Sequence, residues 1–194
     1  MSPSYEQMFS LLSTIFPVSE ELKKALLSST SEVNYKKGTF LFDIGEVTRK
    51  AFFIVKGIAR SFYYKKDKNI TNHICAENRI FTSATSMFVN KPAYEAGELL
   101  EDSTLIVLPY EGIEKICLEI MELNYIMRKL AELFYAELDQ RMFFIHMKDA
   151  YERYDFLMQN HPDYFLRVPL GHIASYLGMR QETLSRLRAQ NGKE

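Results

Sequence analysis

The sequence predicts an α+β chain: a helical start, a β barrel or jelly roll, one long helix and a C-terminal helix-turn-helix. Three observations carry this. Between residues 33 and 108, short apolar runs alternate with turn residues at the spacing of an all-β barrel or jelly roll. From 111 to 146, apolar residues recur at heptad spacing. From Val168 to Arg188, two short helical patterns flank a glycine turn.

The first element is helical. Tyr5, Met8, Leu11, Leu12 and Ile15, then Leu22, Ala25 and Leu26, recur at three and four over 4–27, with Pro17 as an interruption. The strands follow. Phe40-Leu-Phe42 ends at Asp43-Ile-Gly-Glu46, and Ala51-Phe-Phe-Ile-Val55 ends at Lys56-Gly57. Ile58–Tyr64 ends at Lys65-Lys-Asp-Lys-Asn69, and Leu105–Leu108 closes the series. Gly38, Gly45 and Gly57 read first as turn residues that hold the sheet.

In the long helix, Ile116, Ile120, Leu123, Met127, Leu130 and Phe134 step by four and three. Glu119, Glu122, Arg128, Lys129 and Glu132 lie off that stripe. The same pattern suits a helix packed on its own barrel or a seam between two copies. His146–Asp149 is the expected hinge, and a helix from Ala150 to Asn160 should stop at His161-Pro162.

The C-terminal pair opens at Pro169, a residue suited to a first helical turn. Leu170, Ile173, Ala174 and Leu177 share one face, and Ala174 is small enough for close helix approach. Gly178 supplies a position for φ > 0. Leu184 and Leu187 point inward, and Arg180 stands at the expected N-cap of the second helix. The chemistry left outside suits a DNA groove. Arginine bonds guanine O6 and N7, glutamate accepts from cytosine N4, and glutamine pairs with adenine. Arg180, Gln181, Glu182, Ser185, Arg186 and Arg188 are therefore the candidate DNA-binding residues. Arg180, Arg188 and Lys193 are candidates for phosphates.

Composition narrows the classes. Hydrophobic residues make up 47% of the 194, enough for a core, and the net charge is −1. That balance excludes a wholly basic coat, so any DNA contact is local. Residues 180–194 hold Arg180, Arg186, Arg188 and Lys193 against Glu182 and Glu194, an excess of two positive charges. Cys75 and Cys117 make no metal or disulfide framework and are too few for an iron–sulfur cluster. His73, His146, His161 and His172 are scattered, and no nucleophile–base pair or phosphate-binding loop is visible. No catalytic or metal residues are assigned, and no enzyme is expected. His73 is the one candidate for a haem ligand in the β region, where a lone histidine is more often an ordinary polar residue. With no signal peptide and no apolar run of membrane-spanning length, the expected location is a reducing cytoplasm, away from any membrane.

Ile173-Ala-Ser-Tyr-Leu-Gly178 followed by Glu182-Thr-Leu-Ser-Arg186 resembles the helix-turn-helix of the Crp–Fnr family, the cyclic-AMP receptor protein and its relatives. Lys37–Gly45 and Phe53–Gly57, with Arg60 beyond, resemble early strands and turns of that family's sensor domain. The resemblance implies a cyclic-nucleotide-binding-like jelly roll (a double-stranded β-helix) over 1–110. It implies a dimerisation helix over 111–146 and a DNA-binding domain over 147–194. It gives Glu182 and Arg186 the base-reading role, with Gln181 and Ser185 at neighbouring contact positions. It makes the long helix pair with its symmetry mate, so that Ile116, Ile120, Leu123, Met127, Leu130 and Phe134 form the dimer seam. A homodimer on palindromic double-stranded DNA follows, with RNA polymerase as a further candidate partner.

The sensor pocket departs from the family pattern. Cyclic-nucleotide binders carry Gly-Glu-Leu and then Arg-Ser-Ala or Arg-Thr-Ala. Here Phe81, Thr82, Ser83, Ala84 and Thr85 occupy the first stretch, and Tyr94 and Glu95 replace the Arg-Ser pair. A carboxylate repels a phosphate, so cyclic AMP is disfavoured and the effector, if there is one, is another small molecule. Arg60 completes the candidate pocket. Six residues follow Arg188, too few for the β-hairpin wing that the resemblance implies: either the wing is absent by nature, which would weaken phosphate contacts, or the chain is shortened. The alternative is a small-ligand sensor or interaction module without sequence-specific DNA binding.

Overall fold

The computed structural model describes residues 1–66 and 68–191. Lys193 lies outside the described residues. Two helices open the chain, α1 (Pro3–Ser13) and α2 (Glu20–Ser29). The break between them falls at Pro17, and the Ser19 side chain accepts the Leu22 N–H at 3.2 Å to start α2. Among the described residues eight strands follow: β1 (Ser31–Tyr35), β2 (Phe40–Phe42), β3 (Lys50–Lys56), β4 (Ala59–Lys65), β5 (Lys68–Cys75), β6 (Ile80–Phe81), β7 (Ala96–Leu99) and β8 (Ser103–Pro109). A short helix, α3 (Ala84–Val89), sits between β6 and β7. The strands form two four-stranded sheets, ordered β1-β8-β3-β6 and β2-β7-β4-β5. The expected jelly-roll class is what the chain adopts.

Strand alternation builds two cores from one sheet. On β3, Phe52 and Ile54 join Phe42, Phe81, Leu99 and Leu105 between the sheets. The intervening Ala51 and Phe53 face the other way, onto α1, α2 and the helices after the barrel. Gly97 shows how tightly the inner core is filled. A Cβ there would stand 2.3 Å from the Phe42 ring, which itself lies 5.1 Å from the Phe81 ring. Gly97→Ala must displace that ring and should cost about 1–3 kcal/mol. Urea unfolding checks this; an unchanged midpoint would show the ring has room to move.

After the barrel come α4 (Tyr110–Glu119), α5 (Met121–Met147), α6 (Ala150–Asn160), α7 (Tyr164–Arg167), α8 (Leu170–Tyr176) and α9 (Gln181–Asn191). The single helix expected over 111–146 is broken at Ile120, whose backbone is extended at φ −120° and ψ 102°. The expected seam also needs correcting. Ile116 and Leu123 are buried in the first unit's own core, and Ile120, Met127 and Leu130 pack against it. Phe134, one turn on, is exposed. The apolar stripe therefore serves the chain's own barrel and α1 up to Leu130. Pro169 is also shifted: it is the N-cap of α8, not its first helical residue. For α6, the Asp149 side chain accepts the Glu152 N–H while Glu152 accepts the Asp149 N–H, a reciprocal cap.

The chain falls into two compact units. One comprises Met1–Ser61 and Ile74–Glu132; the other comprises Phe62–His73 and the chain from Leu133 onward. The second unit has its own core, including Tyr154, Leu157, Tyr164, Ile173, Ala174 and Leu184.

Candidate nucleic-acid interface and sensor pocket

The helix-turn-helix is set by its small and apolar residues. Ile173 and Leu184 are fully buried, and Ala174 is nearly so. Gly178 takes φ +66°, a left-handed turn that a side chain would strain. The Gly178 N–H donates to the Ser175 carbonyl at 3.0 Å and the Met179 N–H to the Ala174 carbonyl at 2.9 Å. These bonds close α8 and redirect the chain into α9. The Arg180 carbonyl accepts from the Thr183 and Leu184 N–H groups, so Arg180 does stand at the start of α9.

With Leu184 turned inward, Arg180, Gln181, Glu182, Ser185, Arg186 and Arg188 are all exposed. They form one polar surface with both acceptors and guanidinium donors. Two are not simply solvated. Gln181 Oε1 lies so close over Gly171 that a Cβ there would meet it at 2.9 Å. The Arg188 guanidinium stands 5.8 Å from the centre of the Phe165 ring. On α8, the Ser175 hydroxyl accepts the Thr71 N–H of β5 at 3.0 Å. The Arg141 guanidinium of α5 stacks 4.0 Å over the Tyr176 ring. Sequence reasoning missed Ser175 and Arg141, because their partners are distant in the chain.

The sensor residues separate into different settings. Arg60 on β4 is 3% exposed, and its guanidinium meets Glu98 of β7 at 2.5 and 2.6 Å. Glu98 was not among the expected residues. Phe81 is a core residue between the sheets. The Thr82 hydroxyl donates to the Lys50 carbonyl at 2.9 Å, on the helix-facing side. Ser83 is buried and its Oγ has no hydrogen-bond partner. Ala84 begins α3 in the open, Thr85 is half-buried, Tyr94 is exposed and Glu95 is buried. A cyclic nucleotide needs a cation for its phosphate. Here the buried Arg60 already holds Glu98, and Glu95 adds a second carboxyl group. These residues do not fit a cyclic phosphate.

Among the described residues, no group of three His, Cys, Asp or Glu side chains is placed to hold a metal ion. No helix among them is long and apolar enough to cross a membrane.

Residues 32–119 match the family model described as the cyclic nucleotide-binding domain. Among curated protein sequences, none matches this chain. Solved structures are similar over nearly the whole length. FixK2 from Bradyrhizobium japonicum is 21% identical, with 84% of this chain and 85% of that one covered at a TM-score of 0.71. A mutant of CooA from Carboxydothermus hydrogenoformans is 23% identical, covering 96% and 84% at a TM-score of 0.71. A putative transcriptional regulator of the Crp/Fnr family from Eubacterium rectale is 16% identical, covering 93% and 88% at 0.69. The chain has the Crp–Fnr-like fold.

Proposed function

We propose that this chain is a DNA-binding transcription regulator of the Crp–Fnr type, a homodimer and not an enzyme, acting in the cytoplasm. The carrying observation is the surface of α9: six polar residues from Arg180 to Arg188 exposed, backed by a buried Leu184 and a glycine turn. Glu182 and Arg186 lie one turn apart and read base edges in the major groove. Gln181 and Ser185 flank them, while Arg180 and Arg188 meet phosphates. In this reading 1–110 is the sensor, the part of α5 beyond Leu130 carries dimerisation and 147–194 is the DNA-binding domain. Two copies place two reading helices on a palindromic operator, where RNA polymerase is a candidate partner. A sensor input other than cyclic AMP is expected, because Arg60 is paired with Glu98.

The pairing surface is the stripe of α5 that the barrel leaves uncovered. Ala131, Tyr135, Leu138, Met142 and Ile145 step by four, three, four and three, and all five are exposed.

DNA selection with the purified full chain should enrich a palindromic site. Arg186→Ala should then cost roughly 1–3 kcal/mol on that site and relax choice at one position of each half-site. Arg188→Ala should weaken all sequences alike and flatten the salt dependence by about one phosphate contact. Uniform loss from both substitutions would remove Arg186 from the base readers. No enriched sequence at all would leave the chain as a sensor or interaction module.

A further inference from the structure

The tip of the hairpin between β4 and β5 is basic. Lys65, Lys66 and Lys68 are all exposed there, beside Tyr64 at 61% exposure. Asp67 stands among them in the sequence, outside the described residues, so the run from 65 to 68 carries an excess of two positive charges. Lys66 takes φ +56°, in the left-handed region where glycine or asparagine fits with less strain. The turn therefore keeps a cation at a conformational cost. The hairpin below the tip is tied together. Phe62 is buried with its ring edge-on to Tyr64 at 5.5 Å, and the Tyr63 hydroxyl donates to Asn72 Oδ1 at 2.8 Å across the two strands.

Residues 62–73 belong to the same compact unit as the helix-turn-helix. The Thr71 N–H, donating to the Ser175 hydroxyl at 3.0 Å, joins β5 to the last turn of α8. His73 adds an edge-to-face contact with Phe134 of α5, ring centres 6.2 Å apart. Thr71 is three residues from Lys68, about 10 Å along a strand. Ser175 is five residues before Arg180, which opens α9. The first turn of a reading helix is the part that meets base edges, so a bound duplex passes this end of α9. We propose that Lys65, Lys66 and Lys68 contact the phosphate backbone of the same duplex, next to the half-site under α9. This rests on the reading of α9 as the DNA-binding helix. Lysine suits a phosphate as a flexible point charge. Carboxylates on a protein partner are matched better by the planar fork of arginine, which the run from 65 to 69 lacks. Phosphate contacts carry no base information, so the tip adds affinity to every sequence alike.

The probe is a random-sequence DNA duplex, titrated with the full chain by fluorescence anisotropy over a series of salt concentrations. Lys65→Gln with Lys66→Gln and Lys68→Gln should reduce the slope of log affinity against log salt by about two to three per chain. At physiological salt it should weaken binding by at least about tenfold. The palindromic site should lose by the same factor, with its preferred bases unchanged. Lys37→Gln with Lys91→Gln and Lys115→Gln changes the net charge equally on exposed lysines of the first unit and should leave the slope in place. Lys66→Gly removes one cation and relieves the left-handed turn, so affinity should fall while the urea midpoint holds or rises. A purely structural role would move the two together. The inference is overturned by a wild-type slope in the folded triple variant, by an equal loss from the control lysines, or by a loss confined to the palindrome. A wild-type slope with lost binding of purified RNA polymerase would give the tip to an acidic protein surface and overturn it too. Arg188→Ala separates this contact from the regulator reading. If Arg188→Ala flattens the slope and the tip variant does not, the hairpin contact alone falls. If the wild-type chain binds no duplex, the regulator reading falls with it.

Discussion

Replacing Glu98 by alanine should destabilise the barrel by about 3–5 kcal/mol, the cost of breaking a buried ion pair from one side. Arg60 is nearly inaccessible, and its ion pair with Glu98 at 2.5 Å ties β4 to β7 within one sheet. Removing the carboxylate takes this contact from a buried cation that cannot be deprotonated to escape. Glu98→Gln keeps an acceptor and should cost less. Arg60→Met with Glu98→Leu removes both charges and should recover most of the loss, because a buried pair is often no better than a well-packed apolar one. Urea unfolding followed by circular dichroism gives all three values. A Glu98→Ala protein within about 0.5 kcal/mol of wild type would show that water reaches the pair and screens it.

The pair also shows where sequence reading stopped. Arg60 was visible as a lone arginine beyond a strand turn, and Glu98 lies 38 residues away. No local pattern couples them; only the β7-β4 neighbourhood does. What was legible was local. Gly178 needs its positive φ, and Ile173 and Ala174 need a close neighbour. Strand β1 went unread because Ser31-Glu-Val-Asn-Tyr35 is an edge strand with Ser31, Glu32 and Asn34 exposed, so it lacks the apolar run of a central strand. The break at Ile120 was equally silent. Glu119-Ile120-Met121 contains neither proline nor glycine, and the chain turns there to keep Ile116 and Leu123 on the same core. The heptad stripe finds its partner within the chain, where the barrel and α1 claim it up to Leu130.

This division fixes where a charge should break a dimer. Leu130→Glu would strike the chain's own core and lower stability whatever the oligomeric state. Leu138→Glu lies on the uncovered part of α5, where Leu138, Met142 and Ile145 are 43%, 62% and 40% exposed. A single chain needs no such surface, and its fold should tolerate the change within about 0.5 kcal/mol. Paired helices cannot tolerate it, because two carboxylates would meet in an apolar seam at a cost of several kcal/mol. Sedimentation of the wild type should give a dimer at micromolar concentration, and Leu138→Glu a monomer with unchanged circular dichroism. Operator affinity should fall with it, by about 10²–10⁴-fold, because each half-site then binds without the effective concentration supplied by its mate. A chemically cross-linked Leu138→Glu dimer should regain most of that affinity if α9 itself is intact. A dimer that survives Leu138→Glu with its affinity unchanged would place the pairing surface elsewhere, and the exposed heptad of α5 would lose its role.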